Sequence, residues 1–177
     1  MPKYLQEVLE PNAASLESRL DALEILQDND VYAYSVLAQP IIPCYFNDKS
    51  LLNFLDKMKR FGIINIKPEF LTLNMANLAI IAQYVNHFDK GLLKPLLELY
   101  VSKENQDHVK QRERIAPNRG YSSEAIKLIF DKASERGISV SICNWVKSQL
   151  NLDENLDFHS KNLGFRCLGY QERLFES

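Results

Sequence analysis

No stretch of this 177-residue chain approaches the roughly 18 consecutive apolar residues that a membrane span needs, and the amino terminus lacks a basic-then-apolar signal. Cysteine is scarce. Cys44, Cys143 and Cys167 are odd in number and far apart, so neither a disulfide framework nor a C-x-x-C metal site is written in the chain. They read as reduced, buried structural thiols in a cytoplasmic protein. His87, His108 and His159 stand alone, with no H-x-x-x-H spacing. A G-x-G-x-x-G or P-loop phosphate cradle is missing, and so is a G-x-S-x-G nucleophile elbow. The net charge of −2 excludes an overall basic field that would draw in nucleic acid.

What is present is the composition of a soluble globular domain, 46% hydrophobic and 25% charged, long enough for one sizeable core. Charge is uneven along it. Residues 1–30 carry seven acidic side chains against Lys3 and Arg19, whereas residues 103–119 carry five basic against three acidic. Three times a helix-patterned stretch meets a turn residue and then a β-branched run: 16–27 into 31–37, 51–60 into 63–66, and 124–136 into 138–142. Such alternation predicts an α/β fold, either an open parallel sheet with outer helices or a partial (β/α) barrel. Ser15, Asp48 and Ser122 or Ser123 are the expected N-caps, and Asn29, Gly62 and Gly137 the expected stops. Leu16, Leu20, Leu23 and Leu26 mark one face of the first of these helices, and Pro68 is expected to limit the second strand. Further helices are expected over 75–87 and 92–101, and a loop or solvated helix over 103–120. The expected organisation is an entry segment 1–14, a partial barrel domain 15–149 and an irregular tail 150–177.

In parallel α/β folds, function gathers in loops just past the strand carboxyl ends. Those loops would offer Gln39 and Pro40 through Asp48, Lys67 through Glu69, and Cys143-Asn144-Trp145. Gln39, Lys67, Glu69 and Asn144 are the polar groups that could converge there. Plainer roles compete with that reading. Asp48 and Asn144 suit helix caps, and Lys67 with Glu69 suits a solvated ion pair. Lys110, Arg112, Arg114 and Arg119 could touch phosphates, although a charged face interrupted by Glu113 is usually just solvated.

Two segments carry a family resemblance. Glu10-Pro11-Asn12-Ala13-Ala14-Ser15 followed by Arg19-Leu20 fits E-P-x-A-x-S-x-x-x-R-L, and the next strand leads to Pro40-Ile41-Ile42-Pro43 and Asn47-Asp48. Arg114-Ile115 and Arg119-Gly120 echo an R-I … R-G ending. This pattern resembles the second half of radical S-adenosylmethionine enzymes, closest to spore-photoproduct lyase and its DNA-repair-photolyase-like relatives. The likeness covers about residues 9–120 and is strongest over 9–48. Cys44 and one extra residue stand where the family has a glycine turn.

The resemblance implies a partial (β/α)6 barrel, S-adenosylmethionine and a [4Fe–4S] cluster, with Gln39, Pro40, Asn47, Lys67 and Glu69 at the cofactor and substrate mouth. It also implies nucleic acid as a substrate class, with Lys110, Arg112, Arg114 and Arg119 as phosphate contacts. The family's cluster cysteines, C-x-x-x-C-x-x-C, do not occur in this chain. The expectation is therefore a carboxyl-half equivalent (truncated, split or degenerate), inactive alone and dependent on a separate chain that carries the cysteine triplet. The alternative is a non-catalytic module that binds another protein through its open sheet edges. A conventional enzyme with Lys67 and Glu69 as acid and base is a third.

Overall fold

The computed structural model describes residues 3–31, 35–107 and 114–142. Among them are α1 (Lys3–Leu9), α2 (Leu16–Asp28), β1 (Ser35–Ile41), α3 (Asp48–Arg60), β2 (Asn65–Phe70), α4 (Met75–Phe88), α5 (Lys90–Tyr100), α6 (Arg119–Ser134) and β3 (Ser139–Val140). No helix among the described residues is long and apolar enough to cross a membrane. The fold is α/β, with a small open parallel sheet in the order β1-β2-β3. The expected tail 150–177 and Asn144 lie outside the described residues.

One turn geometry takes three helices towards their strands. After α3, Gly62 N–H donates to Lys59 O and Ile63 N–H to Met58 O; after α6, Gly137 donates to Ser134 O and Ile138 to Ala133 O. This is the Schellman arrangement, in which a left-handed residue satisfies the last carbonyls and an apolar residue follows it inward. Gly62 and Gly137 have φ of +67° and +71°, as their expected role as stops requires. After α2 the left-handed residue is Asp30, at φ 60°, rather than the expected Asn29. Asn29 keeps a negative φ of −108°, and its side-chain amide donates to Ile25 O at 2.8 Å, closing the helix end from inside.

The chain divides into two compact units. One contains the described residues of Met1–Ala13, Pro40–Asn47 and Phe70–Ser122. Its core joins Leu5 and Ile42 to Leu78, Ile81 and Val85 of α4, Leu96 and Tyr100 of α5, and the Leu73–Ile115 bridge. Tyr100 donates its hydroxyl to Leu71 O at 2.7 Å. Asp89, between α4 and α5, accepts hydrogen bonds from the phenols of Tyr4 and Tyr45, which ties α1 into this unit. Asn118, with its Oδ1 3.0 Å from Tyr121 N, caps α6 ahead of the expected Ser122 or Ser123. Ser122 instead lies in the first turn and donates to Pro117 O.

The other unit contains Ala14–Gln39, Asp48–Glu69 and, within the described residues, 123–142. Ser15 caps α2 as expected, accepting from Ser18 N at 3.1 Å, and Arg19 Nε donates to Ala14 O at 3.0 Å. The E-P-x-A-x-S-x-x-x-R stretch thus serves locally to start a helix. No residue of α2 is buried, its leucine face included. Leu51, Leu55 and Met58 of α3 and Ala125, Ile126, Ile129 and Ala133 of α6 are buried, as are Ile66, Ile138, Val140 and Ile142 in or beside the strands. Each such side chain contributes about 1.5–3 kcal/mol through removal from water, alanine less.

β1 and β2 run further than the sequence pattern suggests. β1 runs through Gln39 and Pro40, which were expected in the loop past it. Leu71 N–H donates to Ile41 O, so residue 41 faces β2 and residue 40 faces the open edge, where a proline forfeits no ladder bond. β2 runs to Phe70 and so contains Pro68, which does not end it as expected. Ser139 N and Ser141 N donate to Ile64 O and Ile66 O, so residue 68 faces β3. The next rung would need an N–H from residue 68 to Ser141 O. Proline cannot supply it, which accounts for a β3 only two residues long.

Candidate functional site

Alternation along β2 and at β3 gives that part of the sheet one apolar and one polar face. Ile66 and Pro68 of β2, with Ile138, Val140 and Ile142, fall on the first and are buried. Ser35 of β1, Asn65, Lys67 and Glu69 of β2, and Ser139 and Ser141 at β3 fall on the second. Asn65 is the hub. Its Oδ1 accepts from Ser35 Oγ at 2.9 Å, and its Nδ2 donates to Ser139 Oγ at 2.8 Å and Ser141 Oγ at 2.9 Å. Ser139 passes its own proton to Ile64 O at 2.9 Å. One amide therefore bridges all three strands, with only 1% of its surface exposed. A buried polar group is tolerated when its bonding capacity is met, and both amide protons here have acceptors.

Lys67 lies two residues further along β2 and is 7% exposed. Its Nζ stands 4.0 Å from Glu69 Oε1, so the structure brings these two charged groups together, but within β2 and not in the loop past it where they were expected, because the strand runs on to Phe70. The pair is recessed rather than solvated on the lysine side, because burying an ammonium demands compensating charge or hydrogen bonds. Gln39 and Pro40 are at the end of β1, and Asn47 is exposed just ahead of α3.

Arg114 and Arg119 are both exposed, in the unit that contains α4 and α5. Arg119 begins α6, and its backbone N–H donates to Glu104 Oε2 at 3.0 Å. The amino terminus of α6 thus already holds a carboxylate, so phosphate contact there would fall to the arginine side chains. Lys110 and Arg112 lie outside the described residues, as do His108, His159, Cys143 and Cys167. His87 is exposed and packs edge-on against Phe88. Cys44 sits in a left-handed turn at φ 70°, and burial pushes its thiol pKa up, which suits a structural thiol better than a nucleophile. Among the described residues no set of three or more His, Cys, Asp or Glu could hold a metal ion.

Ser35, Asn65, Ser139 and Ser141 were not singled out from the sequence, yet a signal was there. Asn65-Ile66-Lys67-Pro68-Glu69-Phe70 and Ser139-Val140-Ser141-Ile142 alternate polar and apolar residues. Strands buried by helices on both faces read instead as continuous apolar runs. Comparison with family models, with curated proteins and with solved structures gave no match to this chain.

Proposed function

We propose that this chain forms one wall of a radical S-adenosylmethionine barrel of the spore-photoproduct-lyase and DNA-repair-photolyase-like kind, working with a cluster-binding half that carries the cysteine triplet. The polar face of the sheet is the observation that carries this reading. A doubly wound sheet reverses its strand order and is covered by helices on both faces. Here the strands lie side by side in chain order, with helices that bury apolar side chains and a face that bears Asn65, Lys67 and Glu69. Chain-order strands and a distinct inner face are what a barrel wall needs. Gln39, Pro40, Asn47, Lys67 and Glu69 are the residues assigned to the cofactor and substrate mouth. The described residues do not fit a [4Fe–4S] cluster, since Cys44 is the one cysteine among them, and the chain is inactive alone on this reading.

Anaerobic iron reconstitution tests it. The chain alone takes up no cluster, whereas mixed with a C-x-x-x-C-x-x-C half it yields one cluster per pair and cleaves S-adenosylmethionine. Stoichiometric four-iron uptake by the isolated chain, or no association with such a half, overturns the reading. DNA binding that weakens with added salt is the expected mark of Lys110, Arg112, Arg114 and Arg119. Salt-insensitive or absent binding removes nucleic acid as the substrate class.

A second reading, a protein-interaction module, is favoured by the exposure of Leu16, Ile25 and Leu26 on α2, at 44%, 63% and 42%. Association with a protein that lacks a cysteine triplet, in place of the cluster-binding half, would support it.

A further inference from the structure

Helix α4 differs from every other described helix in carrying no Asp, Glu, Lys or Arg along its 14 residues. Its inner side is accounted for, with Leu78, Ile81 and Val85 buried in the core of its unit. The outer side is not. A surface helix ordinarily turns charged residues to water. The neighbouring α5 does so with the exposed Lys94–Glu98 pair, 3.8 Å apart. On α4 that side instead carries Ala76, Ile80, Gln83, Tyr84 and His87, which follow one stripe at helical spacing and are all exposed. Ile80 and Tyr84 are 48% and 39% exposed, and Phe88 at the edge of the stripe is 52% exposed even though the Tyr4 ring stacks on it at 4.5 Å. Charge depletion with aromatic enrichment marks the core of a protein interface rather than a solvated surface.

We propose that this stripe receives the same stripe of a second copy of the chain, the two α4 helices running antiparallel about a two-fold axis level with residues 80–83. Charge favours that occupant. A partner surface bearing a charge would bury it against α4 without a counter-charge, which is costly. Among the described helices, only α4 offers an uncharged face in return. Size favours it too. The amino-terminal half of the stripe is slender, with Ala76, whereas the carboxyl half is bulky, with Tyr84 and His87. Antiparallel pairing sets His87 of one copy over Ala76 of the other, and Ile80 of one against Tyr84 of the other. Parallel pairing would set bulk on bulk and leave a gap between the alanines, against the close packing that contacts require. Such a pairing is isologous, the self-complementary kind that closes a dimer. A helix of 14 residues is about 21 Å long, so one stripe falls short of the roughly 800 Å² per partner of a stable complex. The dimer is therefore concentration-dependent.

Sedimentation equilibrium of the full chain, between about 10 μM and about 1 mM, is the test. The average mass should rise from one chain towards two across that range. Ile80→Glu should weaken association about tenfold or more, because residue 80 lies close to its own copy across the axis and two carboxylates would meet there. Tyr84→Lys should weaken it likewise. An equimolar mixture of these two variants should dimerise again, since the introduced carboxylate of one then faces the introduced ammonium of the other. Lys94→Ala, on the outer side of α5, should leave association unchanged. Both test positions are exposed, and urea midpoints close to the parent's report that each variant is folded. A chain that stays monomeric at every concentration, association unmoved by Ile80→Glu, or no recovery in the mixture would each overturn the proposal. Every residue involved belongs to one unit, so loss of the dimer does not bear on whether a cysteine-triplet half associates.

Discussion

Replacing Asn65 by alanine removes three hydrogen bonds at once, those to Ser35, Ser139 and Ser141, from a position 1% exposed. A neutral intramolecular hydrogen bond has a net worth of about 1 kcal/mol. The lost bonds therefore amount to about 3 kcal/mol, and the small cavity adds to that. Part is recovered because the serine hydroxyls can turn, leaving an expected loss of about 2–4 kcal/mol. With a urea m-value of about 2 kcal/mol/M, the unfolding midpoint should fall by roughly 1–2 M. Asn53→Ala, on the exposed side of α3, is the control and should stay within about 0.5 kcal/mol of the parent. Combining Asn65→Ala with Ser141→Ala should cost less than the sum of the two, because the second change removes a group the first has already left unpaired. Equal midpoints for the Asn65 and Asn53 variants, or strict additivity in the double variant, would refute a strand-bridging role for this amide.

The caps predict opposite signs at equivalent positions. Gly62→Ala and Gly137→Ala should each cost about 1 kcal/mol from the positive φ alone, because a Cβ at either site meets nothing within 4 Å, whereas Asp30→Gly should stabilise by a few tenths to 1 kcal/mol; urea titration reads both. Pro68→Ala should give residue 68 an amide that bonds Ser141 O, seen as slow hydrogen exchange at a position that had none; fast exchange there would discount the account of the short β3. Tyr45→Phe removes a 2.9 Å donor from Asp89 and should lower stability by about 1–2 kcal/mol, detected by thermal unfolding. Burial first, and then neighbouring Tyr121 and Cys44, raise the pKa of Tyr100, while burial pushes Tyr121 up to about 12. The folded state therefore keeps protons that the unfolded state loses above about pH 10, so stability falls as pH rises past that point. Tyr100 alone accounts for about 1.4 kcal/mol per pH unit, and Tyr100→Phe should flatten that slope.

The helices and their stops were legible because capping chemistry is local. Ser15, Gly62 and Gly137 act where their side chains, or lack of them, are required. Strand boundaries were not, because Pro68 looked like a terminator and Pro40 like part of a loop. Whether a proline breaks a strand depends on which way its missing N–H would have pointed, and that direction is fixed by neighbouring strands. Pro40 points to the open edge and Pro68 beyond the last rung of β3, so both strands run on. Lys67 and Glu69 were singled out as loop residues past a strand end, yet they lie within β2. Asn65 was passed over because, read singly, a polar residue among apolar ones suggests only a boundary. Its role needs Ser35 and Ser139, 30 residues before and 74 after it. The leucine row of α2 was legible as a face, but a helical period does not show what covers it, and here no residue of the helix is buried.

The edge of β1 separates the two functional readings without any assay of chemistry. Ile41 bonds towards β2, so Val36, Ala38 and Pro40 present their backbone to the other side, where no described strand lies. A partner strand can pair along Val36 and Ala38 but must end its ladder at Pro40, which has no N–H to give. If a cluster-binding half continues this sheet, the amides of Val36 and Ala38 should exchange rapidly in the isolated chain and slow by about a hundredfold or more in the pair. Leu37, whose amide faces β2, should be protected in both. A protein that docks on the apolar row of α2 instead would leave Val36 and Ala38 exchanging freely while shielding side chains at Ile25 and Leu26. Hydrogen exchange across residues 35–41 therefore distinguishes extension of the sheet from attachment to its outer helix. Protection of Val36 and Ala38 in the isolated chain would count against an open edge as the point where a barrel is completed.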